Sequence, residues 1–410
     1  MVDGVMLERH RKDQRGEPTV VAIERLDDGD LRDLFGRTDK LGVLSVYVNA
    51  DREQSSNLQA AAIDLKNRFR ELQRRVAEDS GSAQTRDVDA ALDRLWPHLE
   101  SLTDPAAPGR SRMAFAALGS DWILRLESAM PVANRMVLDD GPFIHPLLEM
   151  FDEGRPTGVV LVAAEVARLL EWRLGSLAAL NPMEQEYVEA PHERAGQIGG
   201  GPEGQFHTPM REQRQARQRD RTQRFLDQVT KVAADVAADR GWERILVSGG
   251  DRWTEPAAAR FPQPLRDKVF ADTRVLSGLD DAGLATVVSE RVHEQHTKWE
   301  RQLLEHVRDA GRSGAGALGL SEVATGLNGG RVAHLVYDPG VRYTGTVGAD
   351  GALYGGDEVG PDGRPGTPEP RLTERLVERA LKTGAKITPI EGAADSGLAD
   401  AAGIAALLRW

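Results

Sequence analysis

Between Glu189 and Thr208 the chain runs without apolar periodicity and carries five glycines, Gly196, Gly199, Gly200, Gly201 and Gly204. Glycine admits torsions closed to residues with a Cβ and lets a backbone come close to another polymer. The stretch ends on Gly204-Gln205. A glutamine side chain offers two donors and an acceptor without being a strong base, so it can orient a reactant without taking a proton from it. Immediately downstream, between Phe206 and Phe225, stand six arginines, Arg211, Arg214, Arg217, Arg219, Arg221 and Arg224, against two acids, Glu212 and Asp220. Glycines followed by a dense run of guanidinium groups form a pattern suited to reaching RNA, where phosphates need local positive charge. The same spacing of three to four also suits a solvated helix face.

The basic island stands out because the whole chain is acidic, with a formal net charge of −12 over 410 residues. Cysteine is absent, which excludes disulfides, thiolate metal sites and a cysteine nucleophile. No run of about eighteen apolar residues is present, and Met1 to Glu17 is polar rather than a signal-peptide core, so a cytoplasmic, membrane-free protein is expected. Neither a Walker A nor a dinucleotide fingerprint occurs, and no cofactor is expected. His293 and His296 stand three apart, whereas a zincin helix needs a spacing of four, so no metal is expected either. Arg68, Arg70, Arg74 and Arg75 form a second basic run, read as a solvated face.

The elements that must position the loop read as alternating strands and helices, the mark of an α/β protein with mixed or parallel sheets. Three domains are expected at this length: an N-terminal α/β domain over 1–153, a central mixed-sheet α/β domain over 154–312 that holds the glycine-rich loop, and an α/β/α domain over 313–410. In the first, Leu41 to Val48 reads as a buried strand. Leu58, Ile63, Leu65, Phe69, Leu72 and Val76 form one helical stripe, and Val88, Leu92, Leu95 and Leu99 another. Met113–Leu118 and Trp122–Leu126 read as a hairpin. In the second, Gly158–Ala163 and Arg168–Leu174 read as paired strands, 212–239 as a helix, Ile245–Ser248 and Thr273–Leu276 as strands, and Leu284–Ala310 as a long helix. In the third, the order is helix (Glu322–Leu327), strand (Val332–Tyr337), hairpin, helix (Leu372–Thr383), strand (Lys386–Ile390) and a closing helix, with a loop over Gly355–Pro370.

The C-terminal run Gly403-Ile404-Ala405-Ala406-Leu407-Leu408-Arg409-Trp410, preceded by Thr388-Pro389-Ile390, resembles the closing signature of the archaeal and eukaryotic class I peptide-chain release factors and of Pelota. Gly316 to Leu335, with Gly329-Gly330-Arg331-Val332-Ala333-His334-Leu335, resembles the entry to the same domain, whose fold is similar to the L7Ae family. The order of strands, glycine loop, basic helix, strand and long helix in the centre is similar to this superfamily too. Val43-Leu44-Ser45-Val46-Tyr47-Val48 is similar to its bacterial members, among which are the ribosome quality-control peptidyl-tRNA hydrolases and the hibernation factor Balon.

The resemblance implies ribosome, rRNA and tRNA as partners rather than DNA, with delivery by a translational GTPase left open. In such proteins a Gly-Gly-Gln loop enters the peptidyl-transferase centre, where the backbone N–H of the glutamine stabilises an oxyanion and its amide orients water. Gln205 is the best match, with Gly196-Gln197 a second candidate and Gln213 and Gln215 further ones. Glu203 departs from the triplet, and its carboxylate is repelled by rRNA phosphates. Three functions therefore stay open: codon-independent peptidyl-tRNA hydrolysis in ribosome rescue, non-catalytic occupation of the A site, and RNA binding as an adaptor away from the ribosome. The Asn-Ile-Lys-Ser motif that reads stop codons is missing from the first domain, which argues against codon-specific termination.

Overall fold

A computed structural model describes residues 20–410 apart from 27, 52–54, 80–81, 164–165, 185–206, 357, 359–362, 364–365 and 396. The chain forms two compact units, Met1–Gly154 with His296–Trp410, and Arg155–Gln295.

The first unit opens with β1 (Val20–Ala22), α1 (Asp28–Phe35), β2 (Val43–Asn49), α2 (Ser55–Asp79), α3 (Ser82–Glu100), β3 (Ser111–Ala117), β4 (Ile123–Ser128), β5 (Arg135–Asp139) and α4 (His145–Glu153). The strands lie in the order β1-β4-β3-β2-β5. Only β1–β4 is parallel; β2, β3, β4 and β5 pair antiparallel. Leu65, Phe69, Leu72 and Val76 of α2, with Val88, Leu92 and Leu99 of α3, bury against Leu44, Val46, Val48 and Ala114 of the sheet. The Phe69 and Trp96 rings meet at 4.6 Å. Ile63, expected in this stripe, is 63% exposed. It stands two residues before Leu65, about 200° round a helix of 3.6 residues per turn, and so faces away from the packed side.

The second unit contains β6 (Thr157–Val162), β7 (Val166–Arg173), β8 (Ser176–Glu184), α5 (His207–Arg240), β9 (Arg244–Ser248), α6 (Asp251–Ala258), β10 (Val269–Asp272) and the start of α7 (Asp281–Ser313). Its sheet order is β10-β9-β6-β7-β8, parallel from β10 to β6 and antiparallel beyond. Phe225, Leu226, Val229, Ala233 and Ala237 of α5 cover it. Trp242 packs against Gly158, where a Cβ would fall 2.0 Å from the indole. The strand expected at Thr273–Leu276 is instead β10, four residues earlier, and Leu276–Gly278 is a 3-10 turn. The strand ends because Asp272 turns its carboxylate onto Arg274, accepting from its backbone N at 3.0 Å and from its guanidinium at 2.6 Å.

The first unit resumes with β11 (Gly316–Leu318), α8 (Leu320–Asn328), β12 (Val332–Tyr337), β13 (Gly345–Val347), β14 (Leu353–Gly355), β15 (Thr367–Glu369), α9 (Leu372–Lys382), β16 (Lys386–Pro389) and β17 (Ile404–Leu408). A four-stranded sheet runs β11-β17-β12-β16, and a small one β14-β13-β15. The closing helix expected from the sequence is the strand β17, antiparallel to β11 and β12. Ala402 (φ 51°) and Gly403 (φ 88°) turn the chain into it, and Ile404, Ala405 and Ala406 are buried between their neighbours. Small residues serve here because the strand is central and packed on both faces. Part of the loop expected at Gly355–Pro370 is β15, which pairs with β13.

The result is a multi-domain mixed α/β protein. Among the described residues, no helix is long and apolar enough to cross a membrane.

Candidate nucleic-acid interface

The helix α5 divides into two halves of different character. From Phe225 onward it presents Phe225, Leu226, Val229, Ala233 and Ala237 to the sheet. Upstream, Ala216 to Arg224 is exposed except for half-buried Thr222. From His207 to Arg224 the helix extends about 27 Å at 1.5 Å per residue. Its core-facing half is fixed at the far end: the Glu171 carboxylate of β7 accepts from Arg240 Nε at 2.7 Å and from Trp242 Nε1 at 2.8 Å. Burial alone raises the Glu171 pKa, but these hydrogen bonds and the Arg240 charge outweigh it and hold the carboxyl below its usual range. Arg260 Nε meets Asp227 Oδ1 at 2.8 Å, a second tie near the middle of the helix.

Arg217, Arg219, Arg221 and Arg224 are all exposed on this helix. At about 100° per residue, Arg217, Arg221 and Arg224 fall within about 60° of one another and Arg219 lies on the other side. Three guanidinium groups thus share a stripe away from the buried face. Arg224 NH2 contacts Asp220 Oδ2 at 2.7 Å, with both side chains more than half exposed; such a surface pair is weak and exchanges readily for a phosphate. Arg211 and Arg214 belong to the same helix by backbone, and their side chains lie outside the described residues. So do the side chains of Gln213 and Gln215. Gln205, Gly199, Gly200, Gly201 and Gly204, with Gly196, Gln197 and Glu203, also lie outside the described residues.

In the second basic run, two of the four arginines are paired where they stand. Arg68 pairs with Asp64 at 2.8 Å, and Arg74 with Glu71 at 2.6 Å and Glu78 at 2.8 Å. These are helix neighbours one turn apart, the arrangement of a solvated face.

A buried polar cluster that sequence reading missed joins the two segments of the first unit. His145 Nδ1 of α4 lies 2.5 Å from Tyr337 Oη of β12. Thr388 Oγ1 of β16 donates to Asp152 Oδ2 at 2.8 Å and stands 2.8 Å from His334 Nε2. A hydroxyl has one proton, so with that proton on Asp152 the imidazole Nε2–H is the donor to Thr388. Arg135 NH2 reaches Glu391 Oε1 at 3.2 Å. Among these groups Glu149 is pushed up to about 7, first by burial and then by the negative charge of Glu391, with Arg135 opposing. Its partners come from positions 135, 300, 338 and 391, so no local pattern announces them. Among the described residues, no group of His, Asp and Glu could hold a metal ion.

Residues 142–297 match the model of Bacterial archaeo-eukaryotic release factor family 10. No curated protein matches the chain. Among solved structures, the archaeal translation termination factor aRF1 aligns at 16% identity over 94% of this chain and 99% of its own, with a TM-score of 0.25. Dom34 of S. cerevisiae, described as a translation termination-like factor interacting with Hbs1, aligns at 10% identity over 73% of this chain and 80% of its own, with a TM-score of 0.37. An archaeal Pelota, described as ribosome-bound with ABCE1, aligns at 14% identity over 73% of this chain and 77% of its own, with a TM-score of 0.35.

Proposed function

We propose that this chain, a bacterial archaeo-eukaryotic release factor-like protein through residues 142–297, acts in translation by entering the ribosomal A site without reading a codon. There it hydrolyses the ester of peptidyl-tRNA in ribosome rescue, with Gln205 as the residue at the reacting ester. The observation that carries this reading is the exposed arginine stripe of α5 directly after the glycine-rich segment, on a helix whose other half is locked into the sheet. In such an arrangement the guanidinium groups contact rRNA or tRNA phosphates and the glycines bring Gln205 to the ester. The backbone N–H of Gln205 would stabilise the oxyanion and its amide would orient the attacking water. Delivery by a translational GTPase belongs to the same proposal.

Glu203 favours a second reading. A carboxylate two residues before Gln205 is repelled by rRNA phosphates, which suits a factor that occupies the site without chemistry, as in hibernation. Peptide release from stalled ribosome complexes separates the two. Hydrolysis predicts release by wild type and a loss of about a hundredfold in Gln205→Ala, which keeps the backbone N–H but removes the amide that orients the water, on the scale of a misplaced reactant. Occupation predicts no release by either protein, with both sedimenting on idle ribosomes. Equal release by both removes the Gln205 side chain from the mechanism.

A further inference from the structure

The basic stripe of α5 does not stop at Arg224. Lys231 lies seven residues on, close to the line of Arg217, Arg221 and Arg224, about 21 Å along the axis from Arg217. It opens onto a groove of about 310 Å³ lined by Asp227, Thr230, Lys231, Asp235, Arg260 and Pro262. That size sits at the lower end of ligand pockets, about 300–1,000 Å³, and suits one nucleotide rather than two.

The walls differ in what they have left to offer. Arg260 is occupied, bound to Asp227 at 2.8 Å and to the Pro256 carbonyl at 2.6 Å, and Thr230 donates to the Leu226 carbonyl at 2.9 Å. Lys231 and Asp235 are exposed, and among the described residues neither has an ion-pair partner. An unpaired ammonium on the arginine line continues the phosphate track. The solvated carboxylate beside it repels a phosphate; on a bound strand its complement is a hydrogen-bond donor. A splayed base supplies one on its Watson–Crick edge, the way single-stranded RNA is read. Carboxylate oxygens only accept, so they select an edge that donates. Guanine offers N1–H and the N2 amino group side by side, matching both oxygens. Uracil offers a single N–H between two carbonyls that repel the carboxylate.

The geometry points to this groove as a subsite for one unstacked guanine nucleotide of an RNA strand lying along the α5 stripe, with Lys231 at its phosphate and Asp235 at its base. This rests on the RNA-binding reading of the stripe and sharpens it to a base preference.

Fluorescence anisotropy with the heptamers UUUGUUU and UUUUUUU tests it, using the full chain, Asp235→Asn, Lys231→Ala and the double variant Arg217→Ala/Arg221→Ala. The guanine heptamer is expected to bind wild type about five- to tenfold more tightly, the lower part of the range for a bidentate base contact. Asp235→Asn should abolish that ratio while leaving affinity for UUUUUUU unchanged, and Lys231→Ala should weaken both RNAs. No guanine preference in wild type, or an undiminished one in Asp235→Asn, overturns the subsite while the stripe stands if the double arginine variant still loses affinity. If the double variant binds both heptamers like wild type, the stripe reading itself falls. Guanosine 5′-monophosphate is the last arm: displacement of the heptamer at equal concentration would assign the groove to a free nucleotide and overturn the RNA assignment.

Discussion

Glu171 on β7 holds Arg240, the last residue of α5, at 2.7 Å and is itself only 13% exposed. The same carboxylate receives the Trp242 indole, so one side chain fixes both the end of the helix and the turn into β9. A helix that carries its arginines on an exposed half needs such an anchor, since that half gains nothing from the core.

Removing the anchor has a direction and a size. Glu171→Ala leaves the indole N–H without its acceptor and the helix end without its ion pair, a loss of about 1–3 kcal/mol for a hydrogen bond to a charged group. The shift should appear in the urea midpoint followed by tryptophan fluorescence. Because the folded pKa of Glu171 is depressed, the stabilisation is present above the ordinary carboxylate pKa and is lost as pH falls through the folded value. The difference between wild type and Glu171→Gln should therefore shrink on acidification below about pH 4.5. A difference that is constant from pH 7 to pH 3 would remove the ion pair from the account.

Glu149 gives the opposite sign. Its carboxyl is raised to about 7 in the folded chain against about 4.3–4.5 when unfolded. The folded state holds the proton more tightly, so its contribution is fully present below the unfolded pKa and is lost as pH climbs from about 4.5 to 7. Glutamine mimics the protonated acid. Glu149→Gln is expected to match wild type near pH 4.5 and to be more stable by up to about 3 kcal/mol at pH 7 and above, at 1.36 kcal/mol per pKa unit. Thermal melts across that window check it; parallel Tm curves for the two proteins would show that burial of Glu149 carries no proton linkage.

Gly158 tests packing rather than charge. A Cβ there would lie 2.0 Å from the Trp242 ring; Gly158 stands in the fully buried strand β6, and Trp242, in the turn between α5 and β9, is buried as well. The indole is pinned by Glu171 and cannot swing away without breaking that bond. Gly158→Ala should cost about 1–3 kcal/mol or more, the scale of overpacking a tight core, read from the urea midpoint. An unchanged midpoint would mean that the layer yields without cost.

These contacts also mark how far the sequence could be read. Strands with β-branched runs were legible almost to the residue, as with β6, expected over Gly158–Ala163 and running Thr157–Val162, because burial on both faces demands that composition. The basic helix was expected over 212–239 and runs His207–Arg240, since its apolar spacing downstream of Phe225 is regular. The strand Ser176–Glu184 escaped notice because Ala-Ala-Leu-Asn-Pro carries little β-preference and is held by pairing with β7. The final strand escaped for a related reason: Ile-Ala-Ala-Leu-Leu suits a helix locally and is extended only because β11 and β12 flank it. Lys231 was passed over because apolar positions separate it from the arginines, and the Glu149 surroundings assemble from four distant parts of the chain.

The arginine stripe makes a quantitative claim of its own. Each phosphate neutralised on single-stranded RNA releases about 0.7 counterion, so the slope of log affinity against log salt falls by about that amount for each contact removed. Arg217 and Arg221 share one side of α5 and Arg219 stands opposite. If the stripe binds phosphates, Arg217→Ala and Arg221→Ala should each flatten the slope by about 0.7, and Arg219→Ala should leave it nearly unchanged. Affinity for a short RNA measured from about 50 to 200 mM salt gives all three slopes. Equal flattening by Arg219→Ala would replace the stripe by a diffuse cloud of positive charge around the helix, and no flattening by any of them would place RNA contact elsewhere.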